Sequence, residues 1–228
     1  MGRMIEFEGN GERYQGYLAT PLAGQGPGLI VVQEYWGLVG HIKDVVERFA
    51  AEGFVTLAPD LYQGESTTEP DDAATMMMAL NMPVVQAILG SAADALLAGP
   101  EVTSDECGVV GFCMGGQLAL YAAAAEPTKF AACVNFYGIH PIVDPPLENL
   151  RGPVLGIFAE HDEYTPPTAV QALEYKFNKL GKPHKFITYP GTQHAFFNDQ
   201  RPDVYDAEAS ADAWRRTVDF LKANLFAD

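Results

Sequence analysis

Short runs of consecutive apolar residues alternate along most of the chain with segments whose apolar residues recur every three or four positions. Continuous runs are typical of strands buried on both faces, and the wider spacing is typical of one face of a helix. The runs predict strands at Leu29–Gln33, Phe54–Ala58, Cys107–Phe112, Ala131–Tyr137, Val154–Ala159 and His184–Tyr189. The spaced segments predict helices within residues 42–50, 71–80, 84–97, 114–125, 170–180 and 214–225.

Two further strands are predicted near the N-terminus, where Met4–Glu8 and Tyr14–Thr20 flank a Gly-Asn-Gly turn. With the alternating strands and helices, they predict an α/β fold whose central sheet is mostly parallel, with about eight strands and helices on both faces. No repeat or low-complexity linker divides the chain, so we expect one domain over residues 1–228. In such a fold, reactive groups lie on loops beyond the carboxyl ends of the strands.

Charge and cysteine content restrict the partners and the compartment. The 228 residues include 14 Lys and Arg against 30 Asp and Glu, a net charge of −16 that disfavours nucleic-acid binding. The chain has no run of about 18 apolar residues, and because residues 1–6 lack the apolar run of a signal peptide we expect none. The 3 cysteines show neither metal-ligand nor disulfide spacing. We therefore expect a reduced, cytoplasmic protein with no metal, membrane or nucleic-acid partner.

The segment GFCMGG, residues 111–116, joins a predicted strand to a predicted helix. It matches the nucleophile elbow G-x-S-x-G, with Cys113 in the serine position. A helix N-terminus favours the thiolate, and the backbone N–H of Met114 points to where an oxyanion would form. The alternative is that Cys113 is a small buried hydrophobe, the interpretation kept for Cys107 and Cys133 inside predicted strands.

An acid and a histidine follow the nucleophile in the chain order that this architecture requires. Asp162 follows the strand 154–159, and Glu160 and Glu163 compete with it for the position of the acid. The alternative for each is a solvated surface carboxylate. His194 follows the last predicted strand, and none of the other histidines combines this order with this placement.

Glu34 directly follows the predicted strand 29–33, with Tyr35 and Trp36 after it. A carboxylate at the carboxyl end of a central strand would lie over the sheet edge where the elbow is expected. The alternative is a loop carboxylate that faces water. The backbone N–H of Tyr35 is the candidate for a second oxyanion donor, because the loop after this strand supplies it in this architecture.

These residues and their neighbours resemble the dienelactone hydrolase family, the carboxymethylenebutenolidases. The resemblance rests on the cysteine elbow, on QEYWG at residues 33–37, on Asp162 before a proline-bearing helix start, and on HAFFNDQRP from His194 onward. It covers residues 14–225. It implies an α/β-hydrolase fold that needs no metal or organic cofactor, and a monomer.

The resemblance also implies roles for the candidate side chains. Cys113, His194 and Asp162 would form a catalytic triad. Glu34 would contact the resting thiol and help to generate the thiolate when substrate binds.

The resemblance implies the hydrolase chemistry of this chain but not its substrate. The family's best-studied substrates are anionic dienelactones held by arginines, one before the elbow and one a few residues after the catalytic histidine. Here Ala73–Pro83 contains no arginine, Asn198 stands four residues after His194, and Arg201 is the nearest candidate cation. The missing arginines argue against a dienelactone as the substrate, but they do not bear on the hydrolase chemistry.

Apolar residues near the candidate site could line a substrate pocket. Trp36 and Phe196 adjoin proposed catalytic residues. A methionine cluster suggests an adaptable apolar wall, with ordinary helix core as the alternative. Its members are Met76, Met77, Met78 and Met82.

The sequence thus predicts a cysteine-dependent hydrolase of small-molecule esters or lactones that acts through an acyl-thioester. One alternative is a carboxylesterase or thioesterase of broad specificity. Another is a non-catalytic scaffold that binds a ligand or responds to oxidation at Cys113.

Overall fold

The computed structural model describes residues 2–140 and 143–226. Its sheet comprises β1 (Arg3–Gly9), β2 (Glu12–Ala19), β3 (Gly28–Val32), β4 (Val55–Pro59), β5 (Cys107–Phe112), β6 (Phe130–Phe136), β7 (Val154–His161) and β8 (His184–Gln193). The strands lie side by side in the order β1-β2-β4-β3-β5-β6-β7-β8. β2 is antiparallel to β1 and β4, and every other pair is parallel. The predicted fold class is confirmed.

Helices cover both faces of the sheet, as the alternating pattern predicts. They are α1 (Gly40–Ala51), α2 (Pro70–Met78), α3 (Met82–Leu97), α4 (Met114–Ala125), α5 (Pro167–Leu180) and α6 (Ala207–Leu225). The apolar sides of α1 and α6 pack in one core, and those of α3, α4 and α5 pack in the other. β3, β4 and β5 are buried along their whole length, because both cores press on them. That burial explains why their sequences are continuous apolar runs.

The last two strands extend further than the apolar pattern predicts. β7 continues to His161 and β8 to Gln193, and these two residues pair after an irregularity that follows Ala159. The added residues are polar or exposed, so hydrophobicity gives no signal for them. The extension brings the loop after β7 and the loop after β8 to the same edge of the sheet.

Among the described residues, no single helix is both long and apolar enough to cross a bilayer. α2 and α3 pass that test of length and composition only when taken together, across a 90° bend. The side chains of α3 explain its apolar composition, since half of the helix is buried against the sheet. The described residues also contain no cluster of three or more His, Cys, Asp or Glu that could hold a metal ion.

Candidate active site

Cys113 occupies a sharp turn between β5 and α4. Its backbone has φ +55° and ψ −123°, a conformation that residues with a side chain rarely adopt. The turn depends on its flanking glycines, because a methyl group on Gly111 would overlap the carbonyl group of Gly115. The Cys113 side chain is partly exposed, at the mouth of a cavity. The strand–turn–helix context predicted for the elbow is therefore present.

His194 and Asp162 meet at the same edge. Nδ1 of His194 lies 2.7 Å from Oδ2 of Asp162, whose side chain has no exposed surface. The other carboxylate oxygen of Asp162 accepts hydrogen bonds from the backbone N–H groups of Tyr164 and Thr165, at 2.9 and 2.8 Å. This arrangement fixes a proton on Nδ1 and leaves Nε2, which has no partner within the described protein, free to serve the cavity.

The electrostatic environment keeps His194 protonated near neutral pH. Burial lowers its pKa, but the hydrogen bond to Asp162 and the interaction with Cys113 outweigh burial and raise the pKa to about 10. Burial keeps the thiols of Cys107 and Cys133 in their neutral form near neutral pH. Burial raises the pKa of Cys107 to about 12, and it raises the pKa of Cys133 as well.

Glu34 is buried rather than solvated. The side chain follows β3, is 1% exposed and lines the same cavity as Cys113. Its Oε2 accepts a hydrogen bond of 2.9 Å from Nδ2 of Asn198. Its Oε1 is buried without a hydrogen-bond partner among the described residues. The water-facing alternative for Glu34 is thereby excluded.

Asn198 is the residue of the candidate site that sequence reasoning missed. In the sequence it stands out only because an arginine is missing there. In the structure it is 3% exposed, and its side-chain amide donates a hydrogen bond to the Glu34 carboxylate. Its place four residues after His194 was the available signal. The contact to Glu34 spans 164 positions of sequence, so no local pattern could reveal it.

The two proposed oxyanion donors lie beside the elbow. Met114 is the first residue of α4, whose opening N–H groups lack intrahelical acceptors. Tyr35 follows Glu34 in the turn closed by the Gly37 N–H and the Glu34 carbonyl. Both residues line the cavity, and neither backbone N–H donates to an acceptor within residues 2–140 and 143–226.

The cavity that holds these groups has a volume of about 540 Å³. Aromatic side chains form much of its wall: Tyr35, Trp36, Tyr137 and Tyr164. Met77 and Ile139 add apolar surface. Arg201 lines it too, but its guanidinium is paired with Asp203 at 2.8 Å. Trp36 and Arg201 thus lie where the sequence expectation put them.

Met82 and Phe196 do not line the cavity, contrary to expectation. Met82 is the first residue of α3, which follows α2 after a 90° bend. Its side chain packs against the core formed by α3, α4 and α5. Phe196 has no exposed surface, and its ring lies behind Tyr137 and Tyr189 with centroids 5.8 and 5.3 Å away. Of the methionine cluster, Met77 alone reaches this cavity within the described lining.

Cys113 after β5, Asp162 after β7 and His194 after β8, on this strand order, match the architecture of an α/β-hydrolase. The model of the dienelactone hydrolase family matches residues 14–225, and the chain belongs to that family. It is therefore a hydrolase of carboxylic esters or lactones that acts on small molecules.

Individual relatives agree with this assignment. "Protein usf" of Aquifex pyrophilus is 42% identical, and the match covers 99% of this chain and 100% of that protein. A protein of Aquifex aeolicus named "Putative carboxymethylenebutenolidase" is 36% identical, with the same coverage of both chains. The crystal structure of a dienelactone hydrolase-like promiscuous phosphotriesterase from metagenomic libraries is 22% identical and shares the fold, with a TM-score of 0.89 over 99% of each chain.

Proposed function

We propose that this protein hydrolyses uncharged small esters or lactones through a thioester on Cys113, with His194 and Asp162 completing the triad. The observation that carries the proposal is the buried 2.7 Å contact between His194 and Asp162 at the edge where the strained Cys113 turn opens into the cavity. A structural cysteine needs neither an oriented imidazole nor a strained backbone. A redox-responsive thiol needs no ordered acid and base either.

Acylation begins with the thiolate of Cys113 and the imidazolium of His194. The sulfur attacks the carbonyl carbon, and the carbonyl electron pair moves onto oxygen. The N–H groups of Met114 and Tyr35 donate to that oxyanion, and loss of one such donor costs about 3 kcal/mol in the barrier. When the intermediate collapses, the alkoxide leaves with the proton from His194 Nε2, and the thioester remains.

Deacylation needs His194 as a base. The thioester carries no negative charge, so one of the causes that raise the pKa of His194 disappears once Cys113 is acylated. Neutral His194 then takes a proton from water, hydroxide attacks the thioester, and the thiolate leaves as the carboxylic acid forms. Asp162 holds the imidazole in the correct tautomer throughout.

Glu34 is the second proton acceptor of the proposed site. The carboxylate is buried beside the elbow with one oxygen free of hydrogen bonds. It takes the thiol proton of Cys113 in molecules where His194 is already protonated. Its place in the cavity wall beside Cys113 supports this role.

The charge pattern of the cavity favours uncharged substrates. Arg201 is the single lysine or arginine in the described lining, and Asp203 already neutralises it. Glu34 and Glu163 line the same space and repel a carboxylate. The aromatic and methionine walls suit an apolar acyl or alcohol group.

The test is a substrate panel with and without iodoacetamide. We expect hydrolysis of p-nitrophenyl acetate and butyrate and of neutral lactones, with slower turnover of anionic dienelactone, and complete loss after alkylation. Hydrolysis that survives complete alkylation of Cys113 would overturn the thioester mechanism. Faster hydrolysis of dienelactone than of any neutral substrate would overturn the substrate preference. The ratio of linear ester to lactone rates separates a lactonase from a broad carboxylesterase.

A further inference from the structure

Tyr137 is a buried phenol whose hydroxyl group has no assigned task. The side chain has no exposed surface, yet it lines the cavity together with Cys113 and Glu34. Its hydroxyl oxygen has no hydrogen-bond partner among the described residues. A buried hydroxyl without a partner is costly and uncommon, so its retention calls for a reason.

The fold holds Tyr137 in place at several points. Its backbone has φ +40°, a strained value for a residue with a side chain. Its N–H donates to the carbonyl of Ile157 at 2.7 Å, and its own carbonyl accepts from the hydroxyl of Thr165 at 3.0 Å. Asn135 closes the turn by bonding both the N–H and the carbonyl of Gly138.

The same turn is built against the catalytic groups. The N–H of Cys113 donates to the carbonyl of Phe136 at 3.0 Å, and a methyl group on Gly138 would lie 2.5 Å from the carbonyl oxygen of Cys113. The ring of Tyr137 packs on the ring of His194, with centroids 5.0 Å apart. The turn that carries Tyr137 is thus packed against the backbone of Cys113, and the phenol ring against His194.

The unpartnered atoms are complementary. Tyr137 offers a hydroxyl proton and lacks an acceptor, and Glu34 offers a carboxylate oxygen, Oε1, and lacks a donor. Burial is the main cause that raises the pKa of Tyr137 well above its usual value, and the charge of Glu34 is the next. Cys113, Asp162 and Arg201 are the other charged groups that act on the phenol, and each has a smaller effect than Glu34.

We propose that Tyr137 is the positioning residue of Glu34: its hydroxyl donates to Oε1 in the working site, while Asn198 donates to Oε2. Two donors then hold the carboxylate in one orientation in the cavity wall that it shares with Cys113, where it takes the thiol proton. No covalent step is added, and the proton follows the path from sulfur to carboxylate already described. The inference rests on the proposed role of Glu34, but its test needs no turnover.

The experiment measures the rate of iodoacetamide alkylation of Cys113 against pH in the full-length protein. The acid limb of this profile is the range in which the rate rises with pH. For Tyr137→Phe it should move to higher pH by about one unit, so that alkylation at a fixed pH on the limb is about tenfold slower. Glu34→Gln should change the position of this limb, and adding Tyr137→Phe to Glu34→Gln should cause no further shift. Melting of Tyr137→Phe should occur at or above the wild-type temperature, because no hydrogen bond is lost in the resting fold.

Tyr189→Phe is the matched control. Tyr189 is also buried, but its hydroxyl donates to Asp212 at 2.8 Å, remote from the cavity. This variant should melt at a lower temperature and keep the wild-type alkylation profile. An unchanged profile in Tyr137→Phe, or a shift that persists in the Glu34→Gln background, overturns the proposal. Absence of ester hydrolysis with the expected profiles would instead refute the proposed function alone.

Discussion

Burial separates Cys113 from the other two cysteines. Cys107 is 0% exposed and Cys133 is 1% exposed, each inside a strand, whereas Cys113 is partly exposed at the cavity. The thiolate is the reactive form of cysteine, so a buried thiol with a raised pKa reacts slowly. The elbow motif alone distinguishes these residues in the sequence, and the structure agrees with that distinction.

Iodoacetamide should modify Cys113 selectively in the native protein near neutral pH. The physical reasons are that Cys113 is partly exposed at the cavity and that burial raises the pKa of both Cys107 and Cys133. Peptide mass spectrometry after limited reaction measures the label at each cysteine, and Cys113→Ser serves as the unlabelled control. Comparable labelling of Cys107 or Cys133 in folded protein would contradict the prediction.

The raised pKa of His194 makes stability depend on pH in a defined window. The folded value of about 10 exceeds the ordinary value of 6.5, so the stabilising contribution is complete below about pH 6.5 and is lost as pH rises toward 10. The difference in free energy of unfolding between wild type and His194→Gln should shrink across that range. Urea titrations of both proteins at several pH values measure it. A constant difference would show that His194 gains no proton affinity on folding.

At the scale of elements, the elbow and the two loops that carry Asp162 and His194 were predictable from sequence. They follow apolar runs, and the ends of such runs mark the carboxyl edge of a parallel sheet. The extension of β7 and β8 was not predictable, since pairing between exposed strand ends leaves no hydrophobic pattern. The roles of Asn198 and Tyr137 depend on contacts between distant strands, which local patterns do not encode.

The packing of α4 against β3 requires a glycine at position 115. A methyl group there would overlap the carbonyl groups of Val32 and Gln33. We expect Gly115→Ala to lower the free energy of unfolding by about 1–3 kcal/mol or more. Gly40→Ala, at the first position of α1, is the control, because its added carbon would lie at least 3.6 Å from its nearest neighbour. Urea denaturation tests both, and equal stability of the two variants would refute the packing argument.

At the scale of the whole molecule, the net charge and the lining of the cavity both disfavour anionic substrates. The surplus of acidic residues gives a net charge of −16, and the arginine in the cavity wall is already paired. The fold was predictable as a whole because the buried strands of the sheet appear in the sequence as continuous apolar runs. The cavity wall was not: whether Met77 or Met82 reaches it depends on a 90° bend between two helices. Spacing along the chain carries no information about that angle.

The overall charge predicts a salt effect on substrate choice. At low ionic strength, kcat/KM for an anionic p-nitrophenyl ester should fall below that for a neutral ester of similar size. The gap should narrow with added salt, because the screening length shrinks from about 30 Å at 0.01 M to about 8 Å at 0.15 M. Steady-state rates at several salt concentrations measure it. A preference for the anionic ester that salt weakens would contradict the prediction.

The central claim, that Cys113 is the nucleophile, is tested most directly by the initial rate of p-nitrophenyl butyrate hydrolysis by Cys113→Ala. Removal of the nucleophile should reduce kcat/KM by at least about 1,000-fold. Circular dichroism and melting temperature should stay close to those of wild type, since the side chain is small and partly exposed at the cavity. A folded Cys113→Ala that hydrolyses the ester within about tenfold of the wild-type rate would contradict the account.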